Sequence, residues 1–411
     1  MELKINYQYT YFIYPFAIPK DKYKQYLLRL LKNKNYQIQF FDSFKDVELY
    51  RYFIPSIKTN TFQDFTFTKE KIDAFYKLSY TNQYQELQKQ NCVMFDYQMQ
   101  EMQGKTEEKD GIFFQIQKVQ LVCFQTGICF LLFKTHIEET DKFSDLLNFN
   151  YKFGNINLEN KSLKKMNRIK IQTDAFSNMK DLSEMIHHIT GQRIHGKSLE
   201  MDDNLFLTYG YVCVDSSCWN KDSDFENIEN EFVKYANVYP SSTNVNVDYD
   251  KLTMLTNASY MKLRINSKGS FLICSSTDSD NYTNLPQTYE KQYLYTYLIA
   301  LHQRYYLKKL GNELSKPRGK KQAIQHFLEF TKKDWINEVT MQSFGQAIYN
   351  RCKEKMNLDT LYQEAKNKYD IFYKEKKIEQ SNRISKITIV LAIVAIILAL
   401  ENLAALLFYN A

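Results

Sequence analysis

Apolar residues recur along most of this chain with two different periods, and the switches between them predict its elements. An aromatic run from Tyr7 to Phe16 reads as a strand and leads through Pro19 into DKYKQYLLRLLKN, where Tyr23, Leu27, Leu28 and Leu31 share one helical face. YQIQFF then alternates as a strand does. The longest β signal is GIFFQIQKVQLVCFQTGICFLLFKTHI, two runs around Gln125-Thr126-Gly127 that predict a hairpin of buried strands. NRIKIQTDAF and NLFLTYGYVCVD predict further strands, with a short helix from Lys180 to Ile189 between them. ASYMKLRINSKGSFLICSS predicts a second hairpin turning at Ser267-Lys268-Gly269. Strands joined directly, without intervening helices, predict an α+β body over residues 1–280 with a mainly antiparallel sheet.

After Pro286 the period becomes helical. QTYEKQYLYTYLIALHQRYYLKKLGNEL predicts a long helix that stops at Pro317 and Gly319, followed by a helix from Gln322 to Glu338. Together they predict a helical bundle over 286–340. A further helix starts near Gln342 and is expected to run unbroken through a stalk (341–386) into the last apolar segment (387–409). In the stalk Leu358, Leu361, Tyr362, Ala365, Tyr369 and Phe372 form one apolar stripe. A helix of that length is unstable alone in water, so the stripe must pack on copies of itself or on the helices before it.

The final segment, ITIVLAIVAIILALENLAALLFY from Ile387 to Tyr409, has no Gly or Pro and one charge, Glu401. As a helix it is about 34 Å long, enough for a hydrocarbon core of roughly 30 Å. Lys374, Lys376, Lys377, Arg383 and Lys386 precede it and no charged side chain follows. Basic flanks stay on the cytoplasmic side, so the expectation is a single-pass protein of the plasma or bacterial inner membrane with a cytoplasmic body. MELKINYQYTYFIYPF lacks the basic stretch and apolar core of a signal peptide. Ser385, just before the span, and Thr388, Ala392, Ala395, Ala399, Asn402 and Ala405 within it fall along one face, opposite Ile389, Ile393, Ile396 and Leu400. Small and polar faces are where membrane helices meet. Such a seam fits either a passive anchor or a ring of helices lining a pore. Glu401 inside the span, costing roughly 3 kcal/mol at the bilayer centre unless it faces protein or water, favours the pore. Thr388, Ala392, Ala395, Ala399, Glu401 and Asn402 are therefore the candidate packing or pore-lining residues.

Composition adds few constraints. Tyr (32) and Phe (29) are abundant and Gly (11) and Pro (6) scarce, so a sizeable core is available; AT-rich codon usage accounts for much of the tyrosine. The seven cysteines form no C-x-x-C pair and read as buried reduced thiols. A net charge of +7 suits an anionic ligand or membrane surface but falls short of a nucleic-acid binder. Gly191 to Ser198, GQRIHGKS, satisfies the phosphate-loop pattern, but a helical segment precedes it and an apparent strand follows, the reverse of what that loop needs. Arg193, His195 and Lys197 remain candidate contacts for an anionic ligand simply as charges. The adjacent His187 and His188 point about 100° apart on a helix and do not make a metal pair. No catalytic set, metal site or cofactor is expected.

A body of mixed strand and helix, a helical bundle and a stalk helix running into a membrane helix resembles the CorA-type divalent-cation channels. It is more similar to the CorA-like membrane effectors associated with type III CRISPR systems. The resemblance rests on YLIALHQRYYLKKL (Tyr295 to Leu310), LDTLYQEAKNKYDIFYKEKKIEQ (Leu358 to Gln380) and the small-polar membrane face with Asn402. It covers about residues 285–411. The Gly-Met-Asn loop and second membrane helix of CorA are absent, so Mg²⁺ transport does not carry over. What the resemblance implies is a homo-oligomer, a pentamer, whose membrane helices line the axis. It also implies gating by a nucleotide second messenger, such as an S-adenosylmethionine–AMP conjugate, in antiviral defence. Two other readings remain open: a tail-anchored scaffold or sensor without pore activity, and a membrane-tethered enzyme using the loop near Lys197.

Overall fold

The computed structural model describes residues 2–41, 45–59, 69–99, 102–106, 111–138, 140–154, 169–173, 178–191, 206–245, 254–316 and 319–409, with 401–409 as helical backbone. The chain divides into two compact units, Met1–Lys308 with Lys333–Leu358, and Lys309–Lys332 with Asp359–Ala411.

The first unit is built on a mixed 11-stranded sheet. Its strands are β1 (Ile5–Ala17), β2 (Tyr36–Ile38), β3 (Cys92–Tyr97), β4 (Gln103–Thr106), β5 (Phe113–Phe124), β6 (Ile128–Ile137), β7 (Ile169–Gln172), β8 (Lys180–Asp181), β9 (Leu207–Val214), β10 (Met261–Asn266) and β11 (Gly269–Ser275). They run in the order β10-β11-β9-β1-β6-β5-β4-β7-β8; β3 pairs the end of β5 from Gln120 to Phe124, on the edge whose start carries β4, and β2 lies beside β3. The β5–β6 hairpin forms as expected: Gly127, at φ 83, closes the turn and its N–H donates to the Phe124 carbonyl at 2.9 Å. In the β10–β11 hairpin Asn266 Oδ1 accepts from the N–H groups of Lys268 (2.9 Å) and Gly269 (3.1 Å). The expected mainly antiparallel sheet has one parallel junction, β11 on β9, in register from Gly269↔Thr208 to Ser275↔Val214. Parallel neighbours need a long covered connection, here one that carries a helix at Phe225–Asn237. Phe225, Ile228, Phe232, Val233 and Ala236 give it an apolar helical period that the elements predicted above do not include.

Both faces of the sheet are covered. Helices α1 (Lys20–Lys32), α2 (Val47–Tyr52), α3 (Lys69–Lys77), α4 (Tyr80–Leu87), α5 (Phe143–Gly154), α6 (Leu182–Thr190) and α7 (Phe225–Asn237) precede the helical half of the chain. The first face carries Phe12, Phe16, Leu121, Leu131, Phe133 and Val212 in one core with side chains of α1, α5, α6 and α7. Phe12 stacks on Phe153 at 4.1 Å and meets Phe149 at 5.8 Å.

The second face is a tyrosine layer. Tyr9 and Tyr11 of β1 stand opposite Tyr211 and Tyr209 of β9, and all four are fully buried. Their rings fill space while their hydroxyls reach the covering segment: Tyr9 to the Pro286 carbonyl (2.7 Å), Tyr209 to that of Tyr289 (2.7 Å), Tyr211 to that of Asn281. The segment is irregular, with a wide turn at Tyr289–Tyr293 before α8 (Leu294–Ser315). Its backbone carbonyls therefore need outside partners, and the tyrosines supply them. Beyond it lie α2, whose Tyr52 hydroxyl is 3.1 Å from Thr296 Oγ1, and α10 (Ser343–Lys355), whose Tyr349 donates to Gln303 Oε1 at 2.8 Å.

The second unit comprises the end of α8, α9 (Lys320–Lys333) and α11 (Leu358–Tyr409). Phe327 of α9 lies 5.8 Å from Tyr362 and 5.3 Å from Tyr369, Ala365 is fully buried, and Lys368 Nζ donates to the Gly311 carbonyl at 3.0 Å. The stalk stripe thus packs on helices of its own chain. Two boundaries differ from expectation. The helix expected to end at Glu338 stops at Lys333, because the next carbonyls are captured sideways: Gln303 donates to that of Asp334 (2.8 Å) and Tyr349 to that of Ile336. The helix expected to be unbroken from Gln342 is interrupted at Asn357, whose φ of 54 is left-handed. Asparagine adopts that conformation at the least cost after glycine and ends helices there.

Candidate functional site

The candidate site is the far half of α11, and its geometry follows from what its side chains lack. Up to Phe372 the helix has an apolar stripe that α9 helps to cover. From Tyr373 to Leu400 every side chain is exposed, Ile384, Ile389, Leu391 and Ile396 among them at 57–65%. Over that stretch Lys374 to Lys386 is polar apart from Ile378 and Ile384, and from Ile387 to Leu400 the helix is apolar apart from Thr388. A helix apolar all round belongs in a protein interior or a bilayer. It is the one helix among the described residues long and apolar enough to cross a membrane, with a mean hydropathy of 2.3 over its best window. The α-helical backbone continues through Glu401 and Asn402 to Tyr409, so the apolar segment from Ile387 is helical over the full length a membrane span needs. No break separates it from the stalk.

Thr388, Ala392, Ala395 and Ala399 all lie on this helix, exposed, at spacings that place them along one face. Thr388 Oγ1 donates to the Ile384 carbonyl one turn earlier at 3.0 Å, so its hydroxyl is satisfied within its own helix. That leaves the face smooth and narrow, suited to close backbone approach. Side chains of Glu401 and Asn402 lie outside the described residues. Lys374, Lys376, Lys377, Arg383 and Lys386 are all exposed. No family model, curated protein or solved structure matches this chain.

Of the sequence-proposed anion contacts, Arg193, His195 and Lys197 lie outside the described residues. The elements that frame them are described, and they have the order read from sequence: α6 enters and β9 leaves. Gly191 ends α6 at φ 66. The carbonyls of its last turn are taken by Arg29, which donates to Thr190 O at 2.7 Å, and Tyr36, which donates to Ile189 O at 2.6 Å. A phosphate loop needs free N–H groups at the start of a following helix; the described element before residues 192–205 ends in a helix C-terminus, and the next one after them is a strand. Among the described residues no group of three His, Cys, Asp or Glu side chains is placed to hold a metal.

The body contains charged and titratable groups that the sequence did not single out. Lys134 Nζ is 2.7 Å from Glu290 Oε2, Tyr11 donates to Glu290 Oε1 at 2.6 Å, and the ammonium lies 4.8 Å from the Tyr9 ring centroid. The pair ties the wide turn at Tyr289–Tyr293 to the tyrosine face and leaves neither charge open to a ligand. His302 stacks flat on Phe124 at 3.9 Å with its Nε2 2.8 Å from Thr126 Oγ1. Burial pushes its pKa down to about 3, so it is a neutral packing ring. Burial pushes the Asp334 carboxyl up to about 7, against a smaller opposite pull from Lys333. Sequence offered no sign of either, since both shifts come from distant packing.

Proposed function

We propose that this protein is a CorA-like oligomeric membrane effector. In this reading the α+β body lies in the cytoplasm and senses a small anionic ligand, a nucleotide second messenger. The stalk then passes the change to a ring of membrane helices, a pentamer. The observation that carries the reading is the unbroken helix Leu358–Tyr409, which joins a packed stalk to an exposed apolar span without a hinge. A rigid helix can transmit rotation or tilt, whereas a flexible linker would only tether. The small-residue face of Thr388, Ala392, Ala395 and Ala399 would meet its copies at the axis, with Glu401 and Asn402 near the far end, where acidic rings favour cations. The likeness to CRISPR-associated CorA-like effectors supplies the ligand class and a role in antiviral defence. The protein would act by permeabilising a membrane and not by catalysis.

Ion release from liposomes carrying the purified full-length chain tests this. Flux is expected on addition of a nucleotide messenger. If no candidate nucleotide ever permeabilises the vesicles while the protein remains inserted, the span is a passive anchor and the protein a tail-anchored scaffold or sensor.

A further inference from the structure

The basic residues before the span fall into two tiers when the helix geometry is applied to them. Because α11 is continuous, each residue adds about 1.5 Å along its axis. Measured from Ile387, Lys386 stands about 1.5 Å and Arg383 about 6 Å outside the apolar segment. Lys377, Lys376 and Lys374 stand about 15, 16.5 and 19.5 Å outside it. The headgroup layer of one leaflet is roughly 5–7 Å thick. Arg383 and Lys386 therefore lie within it, and the three lysines lie beyond it by about a Debye length, near 8 Å at physiological salt.

Between Lys374 and Lys386 there are five basic residues and two acidic ones, Glu375 and Glu379, a net charge of +3. Yet among the described residues none of these basic side chains has an ion-pair or hydrogen-bond partner; Lys377 lies 5.7 Å from the Tyr373 ring centroid. Even Glu379, one turn before Arg383, is not bonded to it. These charges are available. Side chains on a helix also lean toward its N-terminus, which for this span means away from the hydrocarbon, so Lys386 leads its ammonium outward into the headgroups. An arginine there can bind a phosphate through two parallel N–H groups.

We propose that Arg383 and Lys386 form a binding collar for the phosphates of anionic lipid headgroups, with Lys374, Lys376 and Lys377 adding only screened attraction. The inference rests on the reading of α11 as a bilayer-crossing helix. It adds the lipid class the protein prefers and the two residues that select it.

The test uses the full-length chain in phosphatidylcholine nanodiscs containing a trace of either spin-labelled phosphatidylglycerol or spin-labelled phosphatidylcholine. The motionally restricted fraction of each is read by electron paramagnetic resonance. Phosphatidylglycerol is expected to be favoured about fivefold, the preference falling below about twofold in Arg383→Gln/Lys386→Gln. It should stay above half its value in Lys374→Gln/Lys376→Gln/Lys377→Gln. Equal restriction of the two lipids by the unmodified chain would overturn the collar while leaving the span intact. Equal losses in the double and triple variants would overturn the two-tier assignment. A chain that never enters the discs would overturn the membrane reading itself.

Discussion

The β-sheet and the far half of α11 use the same kinds of side chain for opposite ends. In the sheet, Phe12, Ile13, Leu131 and Tyr209 are buried to the last few square ångströms, because layers of the same chain cover both faces. In α11, Ile389, Ile393, Ile396 and Leu400 are more than half exposed and no described residue covers them. Apolar surface of that extent is rare on a protein in water. What separates the two regions is the solvent each is built for, and a substitution that is ruinous in one should be silent in the other.

The largest effect is expected where the sheet has no room. A Cβ on Gly269 would lie 1.7 Å from the Thr208 carbonyl oxygen of the neighbouring parallel strand. Gly269→Val should therefore cost about 3 kcal/mol or more of body stability, seen as a lowered thermal midpoint or loss of soluble yield, with membrane targeting unchanged in whatever folds. The converse is Ile393→Lys, worth about 3 kcal/mol against insertion. It should reduce flotation with vesicles and leave the body's thermal midpoint within about 2 °C. A Lys substitution that melted the body instead would erase the distinction between the regions.

The pH dependence of the body sharpens it further. His302, neutral when buried, stabilises the fold fully above its unfolded pKa of 6.5 and progressively less as pH falls toward 3. Asp334, protonated when buried, does the reverse: its contribution is whole below 3.8 and is lost as pH rises to about 7. Each slope is at most about 1.4 kcal/mol per pH unit, and between pH 4 and 6.5 they oppose each other. His302→Gln should therefore expose a stability that falls from pH 4 to 7, and Asp334→Asn one that rises from pH 3 to 6.5. Chemical denaturation across pH reads both, and parallel profiles in the two variants would refute the opposition. A smaller effect, about 1 kcal/mol, is expected for Glu290→Gln. It weakens the bonds to Lys134 and Tyr11 that hold the wide turn to the sheet, and the same denaturation curves would show it.

The parts of this contrast that were legible in sequence are those with local causes. Gly127 and the long apolar runs beside it announce the β5–β6 hairpin, and the charge-free run from Ile387 announces the span. The parallel pairing of β9 with β11 was not legible, because register between strands some sixty residues apart depends on α7 packing. Nor was the early end of α9, set by Gln303 and Tyr349 from elsewhere in the fold. The break before α11 did leave a trace: Asn357 stands in KMNLD, and asparagine is the residue besides glycine that tolerates a left-handed stop. Tyrosine abundance reflects more than codon usage, since it includes a layer whose hydroxyls hold the turn above the sheet. The candidate anion contacts Arg193, His195 and Lys197 lie outside the described residues.

The central claim is that the exposed far half of α11 crosses a bilayer and is covered there by its own copies. The most direct measurement is the native mass of the full-length chain extracted from membranes in mild detergent, alongside Ala395→Leu. A single closed assembly, a pentamer, is expected for the unmodified chain, with smaller or mixed species when the bulkier side chain obstructs the seam. A monomer or dimer that Ala395→Leu leaves unchanged would contradict it.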